Sequence, residues 1–540
     1  MAILLLLLLC AGLLSGQDLS PDTPRELPAL PRDVMDRLSA GTAEAEEPDG
    51  DSQSGKSGEV SAPSPVTGIE TKAPAQVSSR KPDPPAFAPP GDPPGPYTPA
   101  SQKTVVEQRL DTIRFGTENE IAALVQTLKN ENSGDLDDAL AALVQNTMNR
   151  NILSGVFSFF GERAKEGLED RTLRALEDWD IEAADAVLSA VDYLGKLKVE
   201  AAIAPLKALL DAEERRFMSA AFKSLGRIGG GVPGESEEIT RYLIDYYTNR
   251  NPGDENRRDI IAALGETGSP EGIELLSEIA GNNDERVPLR MAALEALAKI
   301  GSAAGRDAVL AGAASQDPNV RAAAVSALGP FDGPEVTAVI LEAFRDSFYR
   351  TRIGAAQAAG TRKLQEAVPY LAYRAERDDV PQVKDEAIKA LGAIGTPEAK
   401  AVLVSFFGER KNSDRVRILA SEMLMRDYAE AYAEKLVAEL DDAKGRNQTA
   451  LYNGFLRVIS SAKAPSLEAV TRRFLASGGV IEKSCALDMT ANNEFRGLLE
   501  EVRALTDPKN GNLAHKAQVT LEKLDPSAKQ ADENRKEGST

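Results

Sequence analysis

Histidine and cysteine are nearly missing from this 540-residue chain, which carries one His, His515, and two Cys, Cys10 and Cys485. Nucleophile–histidine relays and His- or Cys-based metal cages need such side chains converging inside a fold. Neither has its residues here, so the sequence predicts no catalytic set, no metal site and no cofactor. Cys10 lies in the leading apolar run, which leaves Cys485 without an intrachain partner and excludes a disulfide framework. Aromatic residues make up only 5% and Trp occurs once, a composition suited to helices that close up through small side chains. A basic excess is lacking too: the formal net charge of −21 repels a phosphate backbone, so nucleic acid is not an expected partner. No apolar run reaches the roughly 20 residues of a membrane-spanning helix. The longest, Ile3 to Leu14, has 12.

That run is followed by Ser15-Gly16-Gln17 and has the length of a signal-peptide core. Residues 1–16 are therefore expected to be a signal peptide or an N-terminal apolar anchor, the anchor being the only expected contact with a membrane. No Lys or Arg precedes the run, and Leu14 stands where a small residue is usual before the cut. The expected location is the periplasm or cell envelope; a true start downstream of Met1 would make the chain a cytoplasmic adaptor instead. Residues 17–100 hold 17 of the 31 prolines among Gly, Ser, Thr and acidic residues. Too few large apolar groups are present to offset the entropy of ordering, so this stretch reads as a disordered Pro-rich acidic linker.

What the chain has in abundance is a repeat. Ser224-Leu225-Gly226-Arg227-Ile228-Gly229, Ala263-Leu264-Gly265-Glu266-Thr267-Gly268, Ala296-Leu297-Ala298-Lys299-Ile300-Gly301 and Ala390-Leu391-Gly392-Ala393-Ile394-Gly395 copy one another. From Leu264 the steps to Leu297, Leu328, Ala359, Leu391, Leu424 and Leu456 are 33, 31, 31, 32, 33 and 32 residues, a period that signals stacked structural units. Each unit reads as two helices. Asp317 suits an N-cap and Pro318 the first helical position, and apolar residues follow at helical spacing up to Leu328. The Gly after the Leu is expected to end that helix in a left-handed cap. Ser269-Pro270 or Thr396-Pro397 then opens the second helix. The predicted fold is all-α, an α-solenoid of tandem antiparallel two-helix units. Irregular N-terminal capping helices are expected over 101–183, regular repeats over 184–487, C-terminal capping helices over 488–524 and a disordered tail over 525–540.

The run Asp-x-x-Val-Arg-x-x-Ala-x-x-Ala-Leu-Gly, carried by Asp317, Val320, Arg321, Ala324, Ala327, Leu328 and Gly329, resembles the short HEAT-like repeats grouped under the phycobilisome-lyase name. Residues 379–392, with Lys384 at the Arg place, and Asp414-Arg415-Val416-Arg417 are further matches. The resemblance implies HEAT-like repeats in which Asp and Arg form a structural ladder between units, here Asp317 with Arg286, Arg321, Lys384 and Arg417. It implies no lyase chemistry. The acidic exported chain, the Pro-rich tether and the segment Ile113 to Ile121 are also similar to bacterial, spirochaete-type envelope proteins built from such repeats.

The second helices and the turns after them repeatedly place aromatics beside arginines: Tyr242, Tyr246 and Arg250; Arg345, Tyr349 and Arg350; Tyr373 and Arg374; Phe407 and Arg410. Second helices are expected to line the concave surface of such a solenoid. Tyr, Phe and Arg are suited to binding hot spots, so these residues form a candidate partner-binding ridge. The plainer reading has the aromatics filling the inter-repeat core and the arginines complementing helix C-termini. The function that follows is a non-enzymatic scaffold of the bacterial cell envelope, binding a protein or peptide along the concave face. The alternative is an enzyme or enzyme-accessory factor, lyase-like or cell-wall-modifying, that works with carboxylates alone.

Overall fold

The computed structural model describes residues 104–525 apart from Pro233. The signal or anchor expected at 1–16, the linker at 17–100 and nearly all of the tail at 525–540 lie outside the described residues. Helix follows helix, and among the described residues there is no strand. The first five helices are α1 (Val105–Phe115), α2 (Glu118–Glu131), α3 (Asp137–Asn146), α4 (Arg150–Glu162) and α5 (Glu169–Glu177). Regular units follow: α6 (Ala184–Leu197), α7 (Ile203–Asp211), α8 (Arg215–Gly229), α9 (Glu235–Asn249), α10 (Asp254–Thr267), α11 (Ile273–Gly281), α12 (Val287–Ile300), α13 (Arg306–Ala313), α14 (Pro318–Ala327), α15 (Pro334–Ala343), α16 (Tyr349–Thr361), α17 (Val368–Arg377), α18 (Pro381–Ile394) and α19 (Pro397–Gly408). The chain ends with α20 (Asp414–Gly445), α21 (Thr449–Ser461), α22 (Glu468–Ser477), α23 (Val480–Asn493), α24 (Leu499–Arg503) and α25 (Asn512–Leu524).

The Leu-Gly segments and their variants lie in the C-terminal halves of the even-numbered helices α6 to α12, α16 and α18, while α14 stops at Ala327, just before Leu328-Gly329. In α10, acidic Asp254 and Glu255 fill the first turn, where the helix dipole favours them, and Ile260, Ile261 and Leu264 are buried. Each such side chain contributes roughly 1.5–3 kcal/mol on burial. The Gly after the Leu does not end the helix as expected. Gly226 and Gly265 lie inside α8 and α10, where a Cβ would meet the Cα of Ala263 or Ala296 on the next even-numbered helix at 2.8 Å. Only a bare backbone permits that approach. The left-handed cap falls three residues later, at Gly268, Gly301 and Gly395, with φ of 67°, 65° and 64°.

Successive even-numbered helices therefore lie against one another in a close row. The odd-numbered helices pack on the even ones and touch their own counterparts only sparsely. A stack of two-helix units bends toward its more closely spaced row, which puts the odd-numbered helices on the outside of any bend.

One unit departs from the pattern. Tyr428 stands four residues after Leu424, where α10, α12 and α18 have the capping Gly, and no left-handed turn forms there. The two helices run on as α20, kinked at Tyr428 with φ −137° and ψ 32°. The Tyr428 ring fills the space beside the preceding cap, with its hydroxyl 3.4 Å from the Gly395 carbonyl and the Lys400 ammonium 4.4 Å from its centroid.

Candidate interaction surface

Seven residues before each of the six repeat positions from Leu264 to Leu424 stands a cation: Arg257, Arg290, Arg321, Arg352, Lys384 and Arg417. Taking each even-numbered helix with the odd-numbered helix before it as one packed unit, helical phase points this side chain at the turn that closes that odd-numbered helix, whose last carbonyls are unpaired. Arg290 Nε donates to Ala280 O at 3.1 Å, Arg321 Nη1 to Ser315 O at 2.8 Å, Arg352 Nη1 to Asp346 O at 2.9 Å, Lys384 Nζ to Glu376 O at 3.1 Å and Arg417 Nε to Phe407 O at 3.0 Å. Several also reach forward to a carboxylate of the next unit. Arg257 pairs with Glu285, Arg321 with Asp346 at 2.6 Å, Arg352 with Asp378 at 2.8 Å and Arg417 with Glu439 at 2.7 Å. Burial works against the charge of Asp378, yet Arg352 and the Val380 amide hold its carboxyl below the ordinary range. The Asp378 hydrogen bond in turn raises the Arg352 guanidinium further.

Two of the expected ladder residues sit elsewhere. Arg286 is one turn early, exposed, and paired with Asp254 on the surface; the ladder position is Arg290. Asp317 caps its own helix, accepting from the amides of Asn319 and Val320 at 2.8 and 3.2 Å, and the carboxylate facing Arg321 is Asp346. Arg257 and Arg352 were not singled out by the Val-Arg motif, since neither follows a Val. The constant offset from the Leu would have found both.

The expected aromatic–basic ridge divides into three kinds of residue. Tyr246 and Phe407 are core. Tyr246 packs edge-on against Phe222 with ring centres 5.1 Å apart and donates to Leu210 O at 3.3 Å; Phe407 meets Phe455 at 5.5 Å. Tyr242, Arg250 and Arg410 tie neighbouring units together. The Tyr242 hydroxyl donates to Asp211 at 3.0 Å, Arg250 pairs with the same carboxylate at 2.7 Å while lying 4.6 Å from the Tyr246 ring, and Arg410 pairs with Asp442 at 3.1 Å. Burial pushes both the Tyr242 and Tyr246 phenols up from their ordinary value. The remaining residues face outward. Arg345 is exposed, bonded to Glu342 at 2.9 Å and 5.8 Å from the Tyr370 ring. Tyr349 is half-buried and accepts from exposed Arg350 at 3.2 Å. Tyr373 is 55% exposed, between the guanidinium groups of Arg374 and Arg377 at 5.4 and 5.9 Å from its centroid. Arg374 is anchored from below by Asp378 at 3.4 Å.

Of the outward-facing set, Tyr373 and Arg374 lie on α17 and Arg345 in the turn after α15, while Tyr349 and Arg350 open α16. The closely packed row opposite them is the even-numbered one. Two open clefts lie among the earlier units, one of about 610 Å³ lined by Glu200, Lys207, Glu235 and Glu238, and one of about 510 Å³ bordered by Glu213, Tyr246, Arg250 and Glu255. Among the described residues no His, Cys, Asp and Glu side chains gather in a metal-holding group, and no helix is long and apolar enough to cross a membrane.

Comparison with known proteins places this geometry. No curated protein sequence matches the chain. Among solved structures, Kap121p is similar at 12% identity and a TM-score of 0.37, over 78% of this chain and 53% of that one. Kap121p bound to Pho4p gives 13% and 0.36 over the same shares, so the chain spans about half the length of these relatives. Human deoxyhypusine hydroxylase gives 20% and 0.23 over 49% of this chain and 97% of that one. The family model described as spirochaete HEAT repeat protein matches residues 113–520. That match runs from the end of α1 into α25 and takes in every regular unit, and the chain belongs to the spirochaete HEAT repeat protein family.

Proposed function

We propose that the protein is a non-enzymatic interaction scaffold of the bacterial cell envelope, gripping a protein or peptide partner on the outer row of helices around Tyr373. HEAT-repeat solenoids typically serve as interaction scaffolds, and the apolar run Ile3–Leu14 supports export. The observation that carries the reading is the exposed Tyr373 ring held between two arginines, one of them fixed by buried Asp378. A pre-set aromatic with flanking donors loses little side-chain entropy on docking, which is what a binding hot spot requires. Tyr246, the other prominent tyrosine, is core and has no part in it.

The test is a photo-reactive amino acid at Tyr373 in the full chain, irradiated in intact cells. A discrete adduct at Tyr373, absent when the same group replaces exposed Met148 and lost with Arg345→Glu/Arg377→Glu, supports the reading. Equal adducts at both sites, or none at Tyr373, refutes it.

A further inference from the structure

Every regular unit is joined to the next by side-chain hydrogen bonds or ion pairs, with one exception. Across α9–α10 to α11–α12 run Arg257–Glu285 and Arg241–Glu271. Across α13–α14 to α15–α16 run Arg321–Asp346 and the Ser326–Gln357 hydrogen bond at 2.9 Å. Between them, from α11–α12 to α13–α14, no described side chain makes a polar bond across the junction. The ladder residue there, Arg290, bonds only Ala280 O of its own unit.

The reason is a substitution in the repeat itself. Asp346 and Asp378 each accept from the amide two residues on, Phe348 at 2.7 Å and Val380 at 3.0 Å, and each receives the arginine of the preceding unit. At the corresponding place Ser315 accepts from the amide of Asp317 at 3.3 Å and offers Arg290 no charge. Two independent features weaken the same junction. The position after the Leu, or after Ala359 in its place, is Gly in α8, α10, α16 and α18 but Ala298 in α12, so this junction lacks the bare backbone that admits the neighbouring helix at Gly226 and Gly265. Helix α13, with eight residues, is the shortest α-helix between Ala184 and Leu487, and buries only Val309 and Gly312.

We infer that the array is two stiff blocks, ending and beginning at Gly301–Ser302, that pivot on the α12–α14 junction. Ion-pair rungs and glycine contacts fix each block internally, while the junction is held by apolar packing without directional bonds, Gly305 against Leu297 and Gly312 against Leu294, which tolerates sliding and tilting. The Tyr373 surface rides on the second block, so its position relative to the first block varies.

Spin-label distances in the full chain, with Cys10→Ser and Cys485→Ser, test this. Exposed Asp185, Glu295 and Gln382 stand on α6, α12 and α18, so the pairs Asp185→Cys/Glu295→Cys and Glu295→Cys/Gln382→Cys each span three units. The second pair, crossing the junction, should give a distance distribution about twofold broader than the first; equal widths overturn the inference. Ser315→Asp supplies the missing carboxylate and should narrow the second distribution toward the first, while Ser315→Asn, which keeps the cap without the charge, should leave it broad. A helical Ser315→Asp variant with unchanged width, or equal narrowing by Ser315→Asn, overturns the missing rung as the cause.

Discussion

Replacing Arg352 by methionine keeps most of the side-chain volume and strands a carboxylate. The Asp378 side chain is 0% and that of Arg352 8% exposed, so neither charge has bulk water to fall back on. The wild-type guanidinium makes two 2.8 Å bonds to Asp378, one of 3.1 Å to Asp379, and donates to Asp346 O and Ser347 O. After the change Asp378 keeps the Val380 amide at 3.0 Å and Arg374 at 3.4 Å. Breaking a buried pair from one side costs about 3–5 kcal/mol, and the residual Arg374 contact places this case at the lower end, about 3 kcal/mol. Asp378→Asn keeps the acceptor for Val380 and should cost about 2 kcal/mol. The double variant leaves no uncompensated carboxylate, so its cost should fall short of the sum by about 2 kcal/mol. Urea unfolding followed by helical circular dichroism gives the totals. A repeat array need not unfold in one step, so hydrogen exchange should also show α16 and α18 losing protection first. A cost below about 1 kcal/mol for Arg352→Met, or additivity in the double variant, would refute a buried, coupled rung.

Gly265→Ala forces a methyl to within 2.8 Å of the Ala296 Cα and should destabilise by about 1–3 kcal/mol as α10 and α12 separate. Gly281→Ala, with nothing within 4 Å, should be neutral or slightly stabilising in the same thermal melt. Glu482 is pulled from 4.5 to about 2: burial opposes the shift, but Lys444, Tyr452 and the Gly479 amide overcome it. The folded pKa is depressed, so its stabilisation, on the order of 3 kcal/mol, is complete above pH 4.5 and drains away as pH falls from 4.5 toward 2. Comparing acid unfolding of wild type and Glu482→Gln should show that difference vanish at low pH, and a gap that persists at pH 2 would contradict it. Tyr373→Ala should leave the melting temperature within about 1 °C because the ring is exposed, whereas Tyr246→Ala should lose about 3–5 kcal/mol through the core cavity.

The helical pairs were legible because a Leu-Gly motif recurring every 31 to 33 residues encodes the closest contact in the fold, and that contact tolerates little variation. What each Gly does was not legible. The first glycine admits a neighbour's backbone and the second turns the chain, and composition cannot separate the two roles without knowing where the helix ends. Arg286 was taken for a ladder residue because Arg286-Val287 and Arg290 fall within one turn, and only the offset from Leu297 tells them apart. The ridge misled for a different reason. An aromatic beside an arginine looks alike whether the ring points into the stack, as Tyr246 does, or away from it, as Tyr373 does. The missing Gly at Tyr428 was a visible sign of the fused α20, but its meaning depended on the cap position.

The ladder also has a direction. Where a rung ends on an acid, the guanidinium reaches forward, from Arg321 to Asp346 and from Arg352 to Asp378, so that acceptor is younger than the arginine on the ribosome. At roughly 5–20 residues per second, Asp378 emerges about 1–5 s after Arg352. Until then Arg352 has only the carbonyls of Asp346 and Ser347 in its own unit. A nascent chain that stops within such a rung therefore ends in a cation waiting for its acid, and a chain clipped there from the C-terminus returns to that state, whereas one clipped from the N-terminus exposes a carboxylate that still caps its own turn.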